Sequence, residues 1–172
     1  MTDPWTGERA DANLEVGVPE EDGLGVSLID SSPSPVARIL VIEDNLSDVF
    51  LLERALRAQG FQFELVHMQD GDATLAYIRR QGAYAEAAVP SLILMDLNLP
   101  KYTGVEILHE IRAARHLDGV PVCVWSSSQS RKDQANIIDI GVARFITKPT
   151  GLDEFMQIGA SIRDLIAGRN GG

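Results

Sequence analysis

From Val36 onward this 172-residue sequence repeats one pattern five times: a short apolar run, then a stretch with apolar residues at helical spacing. The runs, rich in β-branched residues, cover 38–42, 63–67, 91–95, 120–125 and 144–147. Continuous apolar runs of this length suit strands buried on both faces. The stretches between them predict helices over 46–59, 72–81, 104–114, 131–140 and 152–167. In the first helix Val49, Leu52 and Leu56 share a face, and Gly60 suits its C-terminal cap. In the second, Leu75 and Ile78 share a face and Gly82 follows. Strictly alternating strands and helices imply an α/β domain, a parallel sheet covered by helices on both faces.

Charge divides the chain at the same point. Residues 1–36 hold eight acidic side chains and one basic, a charge of −7, and end in a Ser/Pro cluster. They show no sustained period and read as an acidic, disordered arm, with docking through Leu14, Val16, Val18 or Leu24, Val26, Leu28 as the alternative. The remainder, a domain over 37–169 with a short tail at 170–172, carries −3 of the total −10. An acidic surface repels phosphate backbones, which argues against nucleic-acid binding. No apolar run reaches the ~20 residues that span a bilayer, and the N-terminus has no secretory pattern. Cys123 is the single cysteine, so neither an internal disulfide nor a multi-cysteine metal site is available. A cytoplasmic protein without membrane contact is expected. The histidines 67, 109 and 116 have no metal-binding spacing.

Open parallel sheets bind ligands at the carboxyl ends of their strands. There the sequence places Glu43 and Asp44, Asp96, Ser126 and Lys148. Three carboxylates brought close together repel one another, and a hard divalent cation relieves this. Oxygen donors with retained waters suit Mg²⁺. Lys148 adds a compact positive charge for a carboxylate or a phosphoryl oxygen. This set suits phosphoryl transfer to an aspartate. Asp96 is the best nucleophile, Glu43 and Asp44 are better metal ligands, and Ser126 can hydrogen-bond a phosphoryl oxygen.

The stretches Ile39-Leu-Val-Ile-Glu43-Asp44-Asn45, Leu94-Met-Asp96-Leu-Asn98-Leu-Pro100 with Gly104, Val122 to Ser126, and Phe145-Ile-Thr-Lys148-Pro149 resemble the receiver domain of bacterial two-component response regulators. The resemblance implies a flavodoxin-like (βα)5 sheet of strand order 2-1-3-4-5. It implies Asp96 as phosphoacceptor, Asp44 as a direct Mg²⁺ ligand, Glu43 ligating largely through water, and the Asn98 carbonyl as a further ligand. Ser126 takes the place of the switch hydroxyl and Phe145 that of the rotating aromatic. Lys148 pairs with Asp96 and then with the phosphoryl group, and the Lys148–Pro149 bond is expected cis.

Asp48, Leu51, Leu52, Ser126-Ser-Ser and Asp133 narrow the resemblance to the stand-alone regulators of phytochrome-type and related hybrid histidine kinases. Leu46, Thr103, Ser126 and Trp125 depart from that group's usual residues. The implied partners are a cognate histidine kinase and a downstream protein or phosphotransfer protein. Homodimerisation through the helix over 131–140, the fifth strand and the final helix is one form of output. Such a protein catalyses only its own phosphorylation and dephosphorylation.

Simpler roles compete with these. Acidic residues after strands cap helices, and Asn45 or Ser47 could do so for the first helix. Ser126 could be a turn residue, Phe145 a plain core aromatic, and Trp125 packing against one of the last two helices. Cys123 should be a buried small hydrophobe. At the level of function, a phosphorylation-independent scaffold and an aspartyl-phosphate hydrolase are the alternatives. The hydrolase lacks a second acid two residues after the nucleophile, where Asn98 stands. A flavin module would need a phosphate cradle where Glu43 and Asp44 would repel phosphate.

Overall fold

The computed structural model describes residues 36–127 and 137–168. The acidic arm, most of the helix expected over 131–140, and the tail lie outside these residues. The sheet has five strands: β1 (Ala37–Ile42), β2 (Phe63–Met68), β3 (Leu92–Met95), β4 (Val122–Ser126) and β5 (Arg144–Thr147). Their order is β2-β1-β3-β4-β5, and every pairing is parallel. Four helices are fully bounded: α1 (Leu46–Arg57), α2 (Gly71–Ile78), α3 (Gly104–Ala113) and α4 (Leu152–Ala167). Residues 137–139, between β4 and β5, are also helical. This is the flavodoxin-like order expected from the resemblance.

Strand alternation sorts the core into two layers. Ile39, Val41, Leu92, Leu94, Cys123 and Trp125 face Leu52, Leu56, Phe155, Ile158 and Ile162 of α1 and α4. Leu40, Ile42, Ile93, Met95, Val122 and Val124 face Tyr77, Ile78, Ile107, Leu108 and Ile111 of α2 and α3. Each fully buried aliphatic side chain contributes about 1.5–3 kcal/mol by leaving water. Helices α1 and α4 meet at Gly159, where a Cβ would stand 2.4 Å from the Ala55 carbonyl oxygen. Only a residue without a side chain permits that approach.

Several element ends differ from expectation for local reasons. Helix α1 stops at Arg57, short of Gln59, and Gly60 follows with φ +72°. Helix α2 begins at Gly71, because Asp70 caps it by accepting the Ala73 N–H at 2.8 Å. It ends at Ile78, and Arg80 takes the left-handed turn at φ 51° that would have been assigned to a glycine. Half-buried Leu75 yields its expected place on the buried face to Thr74 and Tyr77. Strand β4 starts after Pro121, which has no N–H to give a ladder, and runs one residue further, through Ser126.

Asn45 is the N-cap of α1, its side chain accepting the Ser47 N–H at 3.0 Å. Thr103, one of the departures from the regulator group, caps α3. It accepts the Glu106 N–H, and Glu106 reaches back to the Thr103 N–H at 2.7 Å, a closed capping box. Those bonds hold the Glu106 carboxyl below its ordinary value.

Candidate functional site

Each strand of the sheet's centre ends in a polar residue, and the alternation decides which layer that residue joins. Glu43 continues the α1/α4 side of β1, as do Asp96 on β3 and Lys148 on β5. All three meet. Lys148 Nζ lies 2.7 Å from Glu43 Oε2, 2.7 Å from Asp96 Oδ2 and 3.0 Å from Asp48 Oδ2. Glu43, Asp96 and Ser126 are buried, while Asp44 is exposed at the rim.

Glu43 is held from three directions. Its Oε1 accepts the Asn45 N–H at 3.1 Å, and its Oε2 accepts both Lys148 Nζ and the Trp125 indole N–H, the latter at 2.8 Å. The His67 Nε2–H donates to the Glu43 carbonyl at 2.7 Å, tying the end of β1 to β2. Burial pushes the Glu43 carboxyl above its ordinary value, and the bonds from Lys148 and Asn45 oppose that rise. For Lys148, burial works against the ammonium, but the bonds to Asp96, Glu43 and Asp48 outweigh it. The net shift is upward, so the ammonium stays charged at neutral pH.

Asp96 uses its other oxygen, Oδ1, to accept the Asn98 N–H at 3.1 Å. The Asn98 side-chain amide donates to Ser126 Oγ at 3.2 Å. A neutral amide–hydroxyl pair thus borders the charged cluster on the β4 side.

The residues fit a divalent cation. Glu43, Asp44 and Asp96 each offer an oxygen, and these atoms lie within 4.8 Å of one another. All are hard oxygen donors. Lys148 supplies one positive charge against the carboxylates of Glu43, Asp48 and Asp96, with Asp44 beside them. The cluster therefore keeps excess negative charge that a cation would neutralise.

Most of the expected site residues converge here: Glu43, Asp44, Asp96, Asn98, Ser126 and Lys148. Phe145 does not touch the cluster; it is half-buried against the α2/α3 layer. The Lys148–Pro149 bond is trans, which corrects the expected cis bond. Trans is intrinsically favoured by about 0.5–1 kcal/mol. Lys148 reaches Asp96 in that isomer, its N–H bonded to the Ser126 carbonyl at 3.0 Å as an extension of the β4–β5 ladder.

Two contributors escaped the strand-end reading. Asp48 lies in the first turn of α1, four residues after Asp44, and that spacing is the available signal. Trp125 precedes Ser126 and shares the Glu43 side of the sheet, as strand alternation alone would have indicated. Its ring meets Phe155 of α4 edge-on, with centroids 5.9 Å apart at 86°. Cys123 is buried as expected, its thiol pushed up to about 12 by burial.

Comparison with known proteins identifies the family of this fold. A family model, the response regulator receiver domain, covers residues 39–159. Response regulator Rcp1 of Synechocystis sp. is 34% identical over 129 residues, which is 75% of this chain and 86% of Rcp1. The structure of the phosphorylated cyanobacterial phytochrome response regulator RcpA aligns with a TM-score of 0.72 and 38% identity, over 77% of this chain and 94% of RcpA. The Mn²⁺-bound form of Rcp1 aligns at 0.68 with 33% identity, over 74% of this chain and 91% of that one. The family model over residues 39–159 and the likeness to Rcp1 show that the chain belongs to the response regulator receiver domain family.

Proposed function

We propose that this protein accepts a phosphoryl group on Asp96 from a histidine kinase, in a Mg²⁺-dependent reaction, and signals by protein–protein contact. The observation that carries the reading is Lys148 Nζ at 2.7 Å from Asp96 Oδ2, inside a cluster of carboxylates with excess negative charge. An Asp96 carboxylate oxygen attacks phosphorus, and the phosphorus–nitrogen bond of the kinase phosphohistidine breaks. The imidazole leaves with the bonding pair and takes up a proton.

Glu43, Asp44 and Asp96, with the Asn98 carbonyl, would hold the cation. The cation, when bound, neutralises charge on the transferring group. Lys148 stays charged and turns from Asp96 to the new phosphoryl oxygens. Ser126 exchanges its bond from Asn98 for one to the phosphoryl group, and Phe145 follows as the rotating aromatic. Catalysis is then positioning and electrostatics.

The likeness to RcpA, a phytochrome response regulator, supports a phytochrome-type kinase as donor. Leu46 and Phe50 near the start of α1, and Leu152 at the start of α4, are each more than half exposed. Both helices begin at the site's edge of the sheet, which suits a partner reaching Asp96. We assign the receiver to 37–169, with residues 1–36 as an acidic arm. Among the described residues no helix is long and apolar enough to cross a membrane. Phosphotransfer from an ATP-charged kinase supports a cytoplasmic location.

Incubation with acetyl phosphate and Mg²⁺ tests the reading. The intact mass of the wild type rises by one phosphoryl group, and Asp96→Asn or chelation abolishes the rise. A wild type that takes up nothing would instead identify a phosphorylation-independent scaffold.

A further inference from the structure

Trp125 plays no part in the phosphoryl transfer described above, yet it touches two of the residues that do. Its indole N–H bonds Glu43 Oε2 at 2.8 Å, and Lys148 Nζ lies 5.2 Å from its ring centroid. On the other side the ring is wedged against Phe155. We propose that Trp125 is a positioning residue of the phosphoacceptor site, whose indole N–H keeps Glu43 satisfied and so frees Lys148 to follow the phosphoryl group on Asp96. The proposal rests on the phosphoacceptor reading of Asp96.

The physical reason is an accounting of donors. Glu43 is fully buried, and its Oε2 has two side-chain donors, Trp125 and Lys148. A buried carboxylate that loses a charged partner is strongly destabilised unless another donor remains. A phosphoryl group on Asp96 adds negative charge there and draws the ammonium toward it. The indole N–H stays on Glu43 while Lys148 shifts, because edge-on packing against Phe155 fixes the ring.

Trp125→Phe keeps an aromatic ring and removes the N–H. Two opposite effects then follow. Glu43, short of a donor, holds Lys148 more firmly, so uptake from acetyl phosphate slows by about tenfold, the scale of one charge-assisted hydrogen bond. The same unmet negative charge attracts a divalent cation more strongly, so Mn²⁺ binds several-fold tighter. A mere packing defect would weaken both.

The test uses full-chain wild type, Trp125→Phe, Glu43→Ala and the double variant. Free Mn²⁺ is followed by electron paramagnetic resonance, and uptake from acetyl phosphate by intact mass. The metal-free wild type and Glu43→Ala are also compared by the ¹⁵N-edited indole N–H resonances, which does not depend on Trp125→Phe folding. The proposal expects the Trp125 indole resonance to shift in Glu43→Ala, and the effects of Trp125→Phe to vanish in that background. An unmoved indole resonance, additive effects in the double variant, or weaker Mn²⁺ binding in Trp125→Phe would each overturn the positioning role, even where uptake proceeds. A wild type that takes up no phosphoryl group overturns the underlying reading of Asp96 instead.

Discussion

The two faces of the sheet are built alike through their cores and end differently at the carboxyl edge. Below the edge both are aliphatic: Val41 and Leu94 toward α1 and α4, Ile42 and Met95 toward α2 and α3. At the edge, the α1/α4 face closes on Glu43, Asp96, Trp125 and Lys148, a buried network of charge. The α2/α3 side closes on Ser126 bonded to Asn98, a neutral pair. The two rims divide the work that a phosphoryl group requires. One carries charge, and the other carries a hydroxyl bonded by the Asn98 amide.

That contrast can be broken most severely at its cation. Lys148→Met leaves the buried Glu43 and Asp96 carboxylates without their ammonium. It should destabilise the metal-free protein by roughly 3–5 kcal/mol, read from urea midpoints, and added Mg²⁺ should recover part of the loss. A comparable change on the neutral rim, Ser126→Ala, should leave the Mg²⁺ dependence of the midpoint unchanged.

Packing distinguishes the faces at a smaller scale. At Gly159 an added Cβ meets backbone, the Ala55 carbonyl oxygen at 2.4 Å, so α4 must move away from α1. At Gly71 it meets the Tyr102 ring, a side chain that can turn at the cost of its hydroxyl bond to Asp72. Gly159→Ala should therefore cost more than Gly71→Ala, with about 1–3 kcal/mol expected for the former as for other overpacked sites. Equal losses in thermal unfolding would show that the α1–α4 contact is more yielding than its geometry indicates. Thr103→Ala, which opens the α3 capping box, should cost about 1 kcal/mol.

Proton linkage gives the smallest and most specific contrast. Burial holds Glu43 above its ordinary 4.5, so just above that pH the folded state binds more protons than the unfolded chain. The Glu43 contribution to stability therefore falls as pH rises through the window from 4.5 to its raised value. Glu106 has the opposite sign: held below 4.5, it stabilises above that pH and loses the contribution as pH falls through its lowered value. Urea titrations of the metal-free protein should show Glu43→Gln removing the first slope and Glu106→Gln the second.

The fold and the charged rim were largely legible because both follow from position. Strand ends converge in a parallel sheet, so Glu43, Asp44, Asp96, Ser126 and Lys148 could be gathered from sequence alone. Asp48 and Trp125 were not, because neither stands after a strand: one turns in from a helix, the other up from inside β4. The C-terminal end of α2 departs from the sequence pattern because Arg80 takes a left-handed conformation that its residue type does not advertise. The cis bond expected at Pro149 came with the resemblance, whereas the Lys148–Pro149 bond is trans.

In the proposed reaction Asp96 itself forms the new bond. Peptide mapping of the wild type after acetyl phosphate and Mg²⁺, with tandem mass spectrometry, tests it most directly. One phosphoryl group, labile to hydroxylamine, is expected on the peptide containing Asp96. A stable modification, or one carried by Ser126 or any residue other than Asp96, would contradict it.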